Sequence, residues 1–349
     1  MLRAGGRGRR GHRRQGVLRV DWLPVALVLA AALIFAFSNG FQDASNSIAI
    51  PIATGSLSPR LAVTMAATLG LGGAVLGHTL ADGFVEALVV PPSGAAGLSV
   101  IGAALVAATA WNLLMWWFGM PSSSTHALIG GLTGASLVAG TSVVWDGVWV
   151  TVTLPMLLSP LLGLVLACGA LWLVARIVDT RSRTQVGRDM RGAQVAAAGA
   201  VALGNGLQDA AKTMAVVVVA LTISGHASGE TVPWWVVASV AVALSLGTYA
   251  GGWRIVRTLG RRIIRPAPDR AQGTVAQAST AAIQYLAAVL HLPVSSTHTV
   301  TAALVGAGLT GPRSALGWTV IRQILLVWVC TFPGAAALSA LVCGVLLAL

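Results

Sequence analysis

Between Trp22 and Ala348 the sequence is an almost unbroken series of apolar stretches, each long enough to cross a lipid bilayer. A crossing helix needs about 20 consecutive, mostly apolar residues. Such runs fall at 22–52, 61–81, 98–118, 142–175, 193–222, 232–253, 274–291 and 316–348. Only 9% of the 349 residues are charged and mean hydropathy is +0.82, whereas a soluble domain carries roughly 25% charge. So few polar side chains cannot cover this much apolar surface in water. A soluble enzyme and a disordered chain are excluded. The class is an all-α polytopic membrane protein, multi-pass in the cell membrane with lipid as its surroundings.

The formal net charge of +12 invites a nucleic-acid partner, but the placement of the charges argues against one. Of 22 basic residues 21 are Arg: seven lie between Arg3 and Arg19, five between Arg176 and Arg191, and six between Arg254 and Arg270. Short basic stretches between apolar runs are the mark of cytoplasmic loops, whereas a nucleic-acid binder spreads its charge over one face. Cys168, Cys330 and Cys343 sit inside apolar runs at no ligand-like spacing, so neither a disulfide framework nor a metal site is expected. The basic head followed by 23–37 resembles a secretory signal. Cleavage there would remove the helix leading into the polar motif at Asn39, so it is not expected.

An internal repeat organises the chain. Ser38-Asn-Gly-Phe-Gln-Asp-Ala-Ser-Asn46 returns as Gly204-Asn-Gly-Leu-Gln-Asp-Ala-Ala-Lys212, and Pro121-Ser-Ser-Ser-Thr-His126 returns as Pro293-Val-Ser-Ser-Thr-His298. More loosely, Trp149-Val-Thr-Val-Thr-Leu-Pro155 returns as Trp328-Val-Cys-Thr-Phe-Pro333. The three motifs recur in the same order, at separations that grow only slightly along the chain. The chain divides into a basic tail (1–21), a first transmembrane repeat (22–175), an Arg-rich cytoplasmic linker (176–192) and a second repeat (193–349). Loop 82–97 holds Asp82 and Glu86 and no Arg, while its counterpart 254–272 holds six Arg. If positive loops stay in the cytoplasm, equivalent loops lie on opposite sides of the membrane. That is an inverted-topology repeat, the plan of many secondary transporters. The seven-Arg tail pulls against this orientation, and the repeat is taken as the stronger signal.

Two paired constellations carry the chemistry. Asn39, Gln42, Asp43 and Asn46 are matched by Asn205, Gln208, Asp209 and Lys212, and Asp43 and Asp209 are the only acids in the long apolar spans apart from Asp146 at the edge of 142–175. A carboxylate at membrane depth is costly and marks a functional site by default. Each Asn-Gly step predicts local unwinding, and carboxylate, amide and freed carbonyl oxygens suit a hard cation such as sodium. The plainer alternative is an Asp43 or Asp209 that pairs with Arg or Lys212 to hold helices together.

The second pair is 121–139 and 294–311, short Gly-rich segments that read as half-helices or re-entrant hairpins beginning at Pro121 and Pro293. Pro favours the first helical turn and Ser or Thr the N-cap. A helix start presents unsatisfied N–H groups, an anion site, to which Ser122, Ser123, Ser124 and Thr125, and Ser295, Ser296 and Thr297, add hydroxyls. Two starts facing across a pseudo-two-fold axis would grip one tetrahedral oxyanion. The plainer reading is Ser and Thr bonding neighbouring helices. His126 and His298 either relay protons or support the hydroxyl cluster, and the supporting role is favoured. Lys212, the one Lys of the chain, either neutralises Asp209 or attracts the anion.

These motifs resemble the PiT family of inorganic phosphate transporters over most of residues 22–348. The pair 39–46 and 204–212 is similar to its duplicated Gly-x-Asn-Asp signature, and Pro121–His126 and Pro293–His298 to its Pro-x-Ser-Thr-Thr-His elements. The resemblance implies cation-coupled phosphate symport by an alternating-access homodimer. It places phosphate at Ser122–Thr125 and Ser295–Thr297, with Asn39 and Asn205. The coupling cation, sodium or proton, is placed at Asp43, Asn46, Asp209, Gln42 and Gln208. Gln42 and Gln208 stand where the family commonly has Asn, an amide one methylene shorter, and the long central soluble loop of larger relatives is missing. Phosphate near neutral pH carries a proton it can donate to a carboxylate, whereas sulfate does not, so sulfate transport is the alternative. No cofactor is expected. A channel lacks its charged ring, an embedded hydrolase lacks an acid–base partner for Ser, and no P-loop is present.

Overall fold

The structure, a computed structural model, describes residues 20–81, 84–178, 183–228, 231–310 and 315–349. Most of the basic tail, Asp82 and part of the 176–192 linker lie outside the described residues. Those described form eleven α-helices: α1 (Trp22–Ala53), α2 (Pro59–Leu76), α3 (Ala95–Phe118), α4 (Ser124–Val138), α5 (Leu154–Val178), α6 (Arg183–Ile223), α7 (Trp234–Ala250), α8 (Trp253–Arg261), α9 (Arg270–Val289), α10 (Ser296–Leu309) and α11 (Trp318–Ala348). Local chemistry sets several of the ends. Ser58 caps α2 ahead of Pro59, and Asp269 and Gln272 form a reciprocal capping box on α9. Gly119, at φ +66°, ends α3. The α6 helix begins at Arg183, so the second half of the 176–192 segment is helical.

Six described helices are long and apolar enough to cross a membrane, and the α7–α8 pair, bent by 61° at Gly251-Gly252, makes a seventh. Two expectations need correction. Segment 274–291 is a helix, α9, but is not among those apolar enough to span alone. Its amides face protein: Gln277 Nε2 donates to the Ser47 carbonyl at 2.8 Å and Gln284 Nε2 to Asn205 Oδ1 at 2.7 Å. Segment 254–272, expected as a loop, contains α8. Ile255, Val256 and Leu259 of that helix are buried, and Arg254, Arg257 and Arg261 recur at the helical spacing that separates a polar from an apolar face.

The predicted unwinding at the two Asn-Gly steps does not occur, since α1 runs unbroken through Asn39-Gly40 and α6 through Asn205-Gly206. The glycines are used for close approach instead. A Cβ on Gly40 would collide with the Leu244 carbonyl of α7, and one on Gly206 with the Gly70 backbone of α2. Small residues let membrane helices pack backbone to backbone, so a missing side chain here is occupied by a neighbouring helix.

Helix pairing recurs between the two halves. The contact of α1 with α7 is matched by that of α6 with α2, and α4 with α11 by α10 with α5. Single β-bridges join Val89 to Val143 and Ile264 to Leu316. Gly134 abuts the Ala336 backbone as Gly306 abuts that of Leu164. Both members of this pair keep the separation that relates His126 to His298. This register sets Thr331 opposite Ser159, both buried, and Pro333 opposite Leu161. The likeness of Trp149–Pro155 to Trp328–Pro333, which would set Pro333 opposite Pro155, is therefore out of step with the packing. Two apolar clusters form the interior, one around Val25–Ala36 of α1 with α3, α4, α6 and α7, the other around Ala44–Ile50 with α2 and α8 to α11. Between them α1 buries Ser38, Asn39, Gln42, Asp43, Ser45, Asn46 and Ser47.

Candidate functional site

That polar layer is where two short helices begin. Ser123 and Ser295 are the N-caps of α4 and α10: Ser123 Oγ accepts from the His126 N–H at 3.2 Å and Ser295 Oγ from the His298 N–H at 3.3 Å. At 15 and 14 residues, or about 21–23 Å at 1.5 Å per residue, neither helix is long enough to span a bilayer. Ser122–Thr125 and Ser295–Thr297 are all buried. The tips lie side by side, with the rings of His126 and His298 stacked at 4.8 Å between centroids. His298 also stacks on Trp328 at 3.9 Å, and Trp328 Nε1 donates to the Pro121 carbonyl at 3.2 Å. The two imidazoles thus hold one tip against the other, while His126 Nδ1 and His298 Nε2 have no partner among the described residues.

Asp43 of α1 joins the tips. Thr297 Oγ1 donates to its Oδ1 at 2.8 Å, Ser124 Oγ to its Oδ2 at 3.2 Å, and Asn46 Nδ2 to Oδ1 at 3.2 Å. Asn46 Nδ2 also donates to Ser296 Oγ and Thr297 Oγ1. In the second half Lys212 stands where Asn46 stands in the first. Its Nζ lies 3.0 Å from Asp209 Oδ1 and donates to Thr125 Oγ1 at 2.5 Å. Of the two roles open for Lys212, neutralising Asp209 is the one this contact serves. Asp43 and Asp209 face one small cavity, also lined by Ser47, Asn205, Gly40 and Gly206.

The charges of the two acids are handled differently. Burying an ion costs several kcal/mol, and hydrogen bonds to a charged group return about 1.5–3 kcal/mol each. Asp209 has an ammonium partner. Asp43 has three hydrogen bonds and, among the described residues, no ion-pair partner. Among the described residues Asn39 Oδ1, Gln42 Oε1 and Asn46 Oδ1 of the same helix are buried acceptors without a donor, and of the three residues Asn46 is the one bonded to Asp43. A free amide oxygen beside a carboxylate suits a hard cation. Among the described residues no group of three or more His, Cys, Asp and Glu gathers.

The remaining site amides act as braces. Gln42 Nε2 donates to both the carbonyl and Oγ of Ser122 at 2.8 Å, fastening α1 to the α4 tip. Val294 replaces Ser122 in the second half, and Gln208 Nε2 bonds the Gln284 carbonyl instead at 2.9 Å. Asn205 Nδ2 donates to the Asp43 carbonyl at 3.2 Å while its Oδ1 accepts from Gln284. Sequence reasoning missed Gln284 and Asn112, which donates to Ser38 Oγ at 3.4 Å. The signal was present: Asn112 and Gln284 stand as far apart in the chain as His126 and His298, so they are repeat equivalents.

The sequence profile described as "Phosphate transporter family" matches residues 39–339. The chain belongs to this family. It is 38% identical to a probable low-affinity inorganic phosphate transporter of Mycobacterium bovis, over 91% of this chain and 76% of the relative. It is 39% identical to one of Rhizobium meliloti (90% and 94%) and 35% to one of Bacillus subtilis (90% and 95%). In fold it is similar to a solved structure titled "The sodium-dependent phosphate transporter", with a TM-score of 0.81 and 23% identity over 93% of this chain and 99% of that one. These family members are transporters, not enzymes, and nothing in the comparisons favours sulfate over phosphate.

Proposed function

We propose that this chain imports inorganic phosphate across the plasma membrane by symport with sodium or protons, alternating access between two inverted repeats (22–175 and 193–349) and working as a homodimer. The observation that carries the reading is that hydroxyls from both short-helix tips, Ser124 and Thr297, donate to the one carboxylate of Asp43. With Asp43 uncompensated, those hydroxyls are committed to it and its charge repels an anion. A cation at Asp43, held with the free oxygen of Asn46 beside it, neutralises the repulsion. It also releases Ser124 and Thr297 to donate to phosphate, together with the backbone N–H groups of the two helix starts. Phosphate binding then requires the cation, which is the condition for symport. Membership of the phosphate transporter family and the names of the relatives support the substrate. The solved structure of similar fold is titled sodium-dependent, which supports a coupling cation.

The test is uptake of radiolabelled phosphate into proteoliposomes, with sodium and pH gradients imposed separately and sulfate offered as competitor. Uptake is expected to need one of the gradients, to resist sulfate, and to be impaired by Asp43→Asn and by Thr297→Ala. Gradient-independent uptake that survives both substitutions would overturn the site assignment.

A further inference from the structure

The two halves of the site differ in charge at one position. In the first, the neutral amide of Asn46 lies beside Asp43, and Thr297 Oγ1 donates to Asp43 Oδ1. In the second, Lys212 takes the place of Asn46. Its ammonium sits between the two atoms equivalent to that pair, Asp209 Oδ1 and Thr125 Oγ1. Thr125 and Thr297 are equivalent because each directly precedes the histidine of its own motif. Lys212 and Asp209 are only 6% and 3% exposed. We infer that the Lys212 ammonium is a tethered cation that permanently fills the cation position of the second half, leaving Asp43 as the acid that takes an exchangeable coupling cation. This rests on the reading of Asp43 as a cation site.

Three physical points support the assignment. An ammonium offers three donors and no acceptor, so like a bound monovalent cation it can only be met by oxygens, and here it meets a carboxylate and a hydroxyl. A second free cation would have to enter beside a buried positive charge, where repulsion is weakly screened. And the Asp209–Lys212 pair is neutral as a unit, so it needs no partner from solution at any stage of a transport cycle. The substitution of Lys for Asn thus removes one ion from the coupling stoichiometry without removing the charge that Asp209 requires.

The decisive variant is Lys212→Asn, which gives the second half the chemistry of the first. In proteoliposomes driven by whichever gradient powers the wild type, the cation-to-phosphate ratio is expected to rise by a single cation, and uptake to depend more steeply on cation concentration. An active variant with an unchanged ratio would overturn the inference. If the variant does not transport, its thermal unfolding is compared with that of the wild type as choline is exchanged for sodium and as pH is lowered. A cation dependence stronger than that of the wild type supports the tethered cation, and an equal dependence overturns it. Asp43→Asn separates the two readings. Cation dependence that persists in it defeats the assignment of Asp43 itself, whatever Lys212→Asn does, and its loss upholds that assignment.

Discussion

At the scale of single residues the site turns on how two buried acids are satisfied. Asp43→Asn removes the charge that is read as holding the coupling cation, and a loss of about 3 kcal/mol in that binding, each 1.4 kcal/mol being tenfold, is expected to lower phosphate uptake by roughly 100-fold. It should also flatten the dependence on the driving cation, both read in proteoliposomes. The caps act more gently. Ser295 Oγ satisfies the His298 N–H at the start of α10, and losing an N-cap costs about 1 kcal/mol. Ser295→Ala should therefore lower the thermal unfolding midpoint measurably while leaving the protein folded.

At the scale of elements, close backbone approach decides where the helices cross. A Cβ on Gly40 would meet the Leu244 carbonyl, whereas around Gly72 nothing lies within 4 Å. Overpacking costs typically 1–3 kcal/mol and more where backbone must move, while Gly to Ala in an open helix position gains about 1 kcal/mol. Gly40→Val should reduce the yield of folded protein in detergent size-exclusion profiles, and Gly72→Ala should match or exceed the wild type. The same contrast explains what was legible beforehand. The two Pro-x-Ser-Ser-Thr-His stretches announced that α4 and α10 begin with a Ser cap, because capping is local chemistry, but Pro121 and Pro293 lie two residues before the caps Ser123 and Ser295 and not in the first helical turn as expected. The Asn-Gly steps misled, because glycine serves equally for unwinding and for close packing, and only a neighbour such as Leu244 decides between them. The amphipathic α8 was visible in the Arg spacing at 254, 257 and 261 but hidden under its charge. Gln284 was masked because a polar residue in a spanning-length run looks incidental until Asn205 is found beside it.

At the scale of the whole molecule, equivalent helices exchange partners between the halves, and the exchange brings the starts of α4 and α10 together. Ring centroids of His126 and His298 are 4.8 Å apart, so a short reversible bis-thiol cross-linker should reach between cysteines at these positions. In a background with Cys168, Cys330 and Cys343 replaced, His126→Cys combined with His298→Cys should be joined by that reagent through mixed disulfides, detected by mass spectrometry of a digest. Uptake should stop while the cross-link is present and return on reduction. Each single variant is the control. The pairing of the two acids with different partners, Asp209 with an internal ammonium and Asp43 with hydroxyls, makes an otherwise duplicated molecule unequal at its centre.

The most direct measurement of the central claim is a cryo-electron-microscopy map of the protein prepared with phosphate and with the ion that drives its uptake. The account predicts one phosphate held by N–H and hydroxyl donors of both helix starts, from Ser123–Thr125 and Ser295–Thr297, beside an Asp43 that has released Ser124 and Thr297. Phosphate bound by one start alone, or bound while both hydroxyls still donate to Asp43, would contradict it.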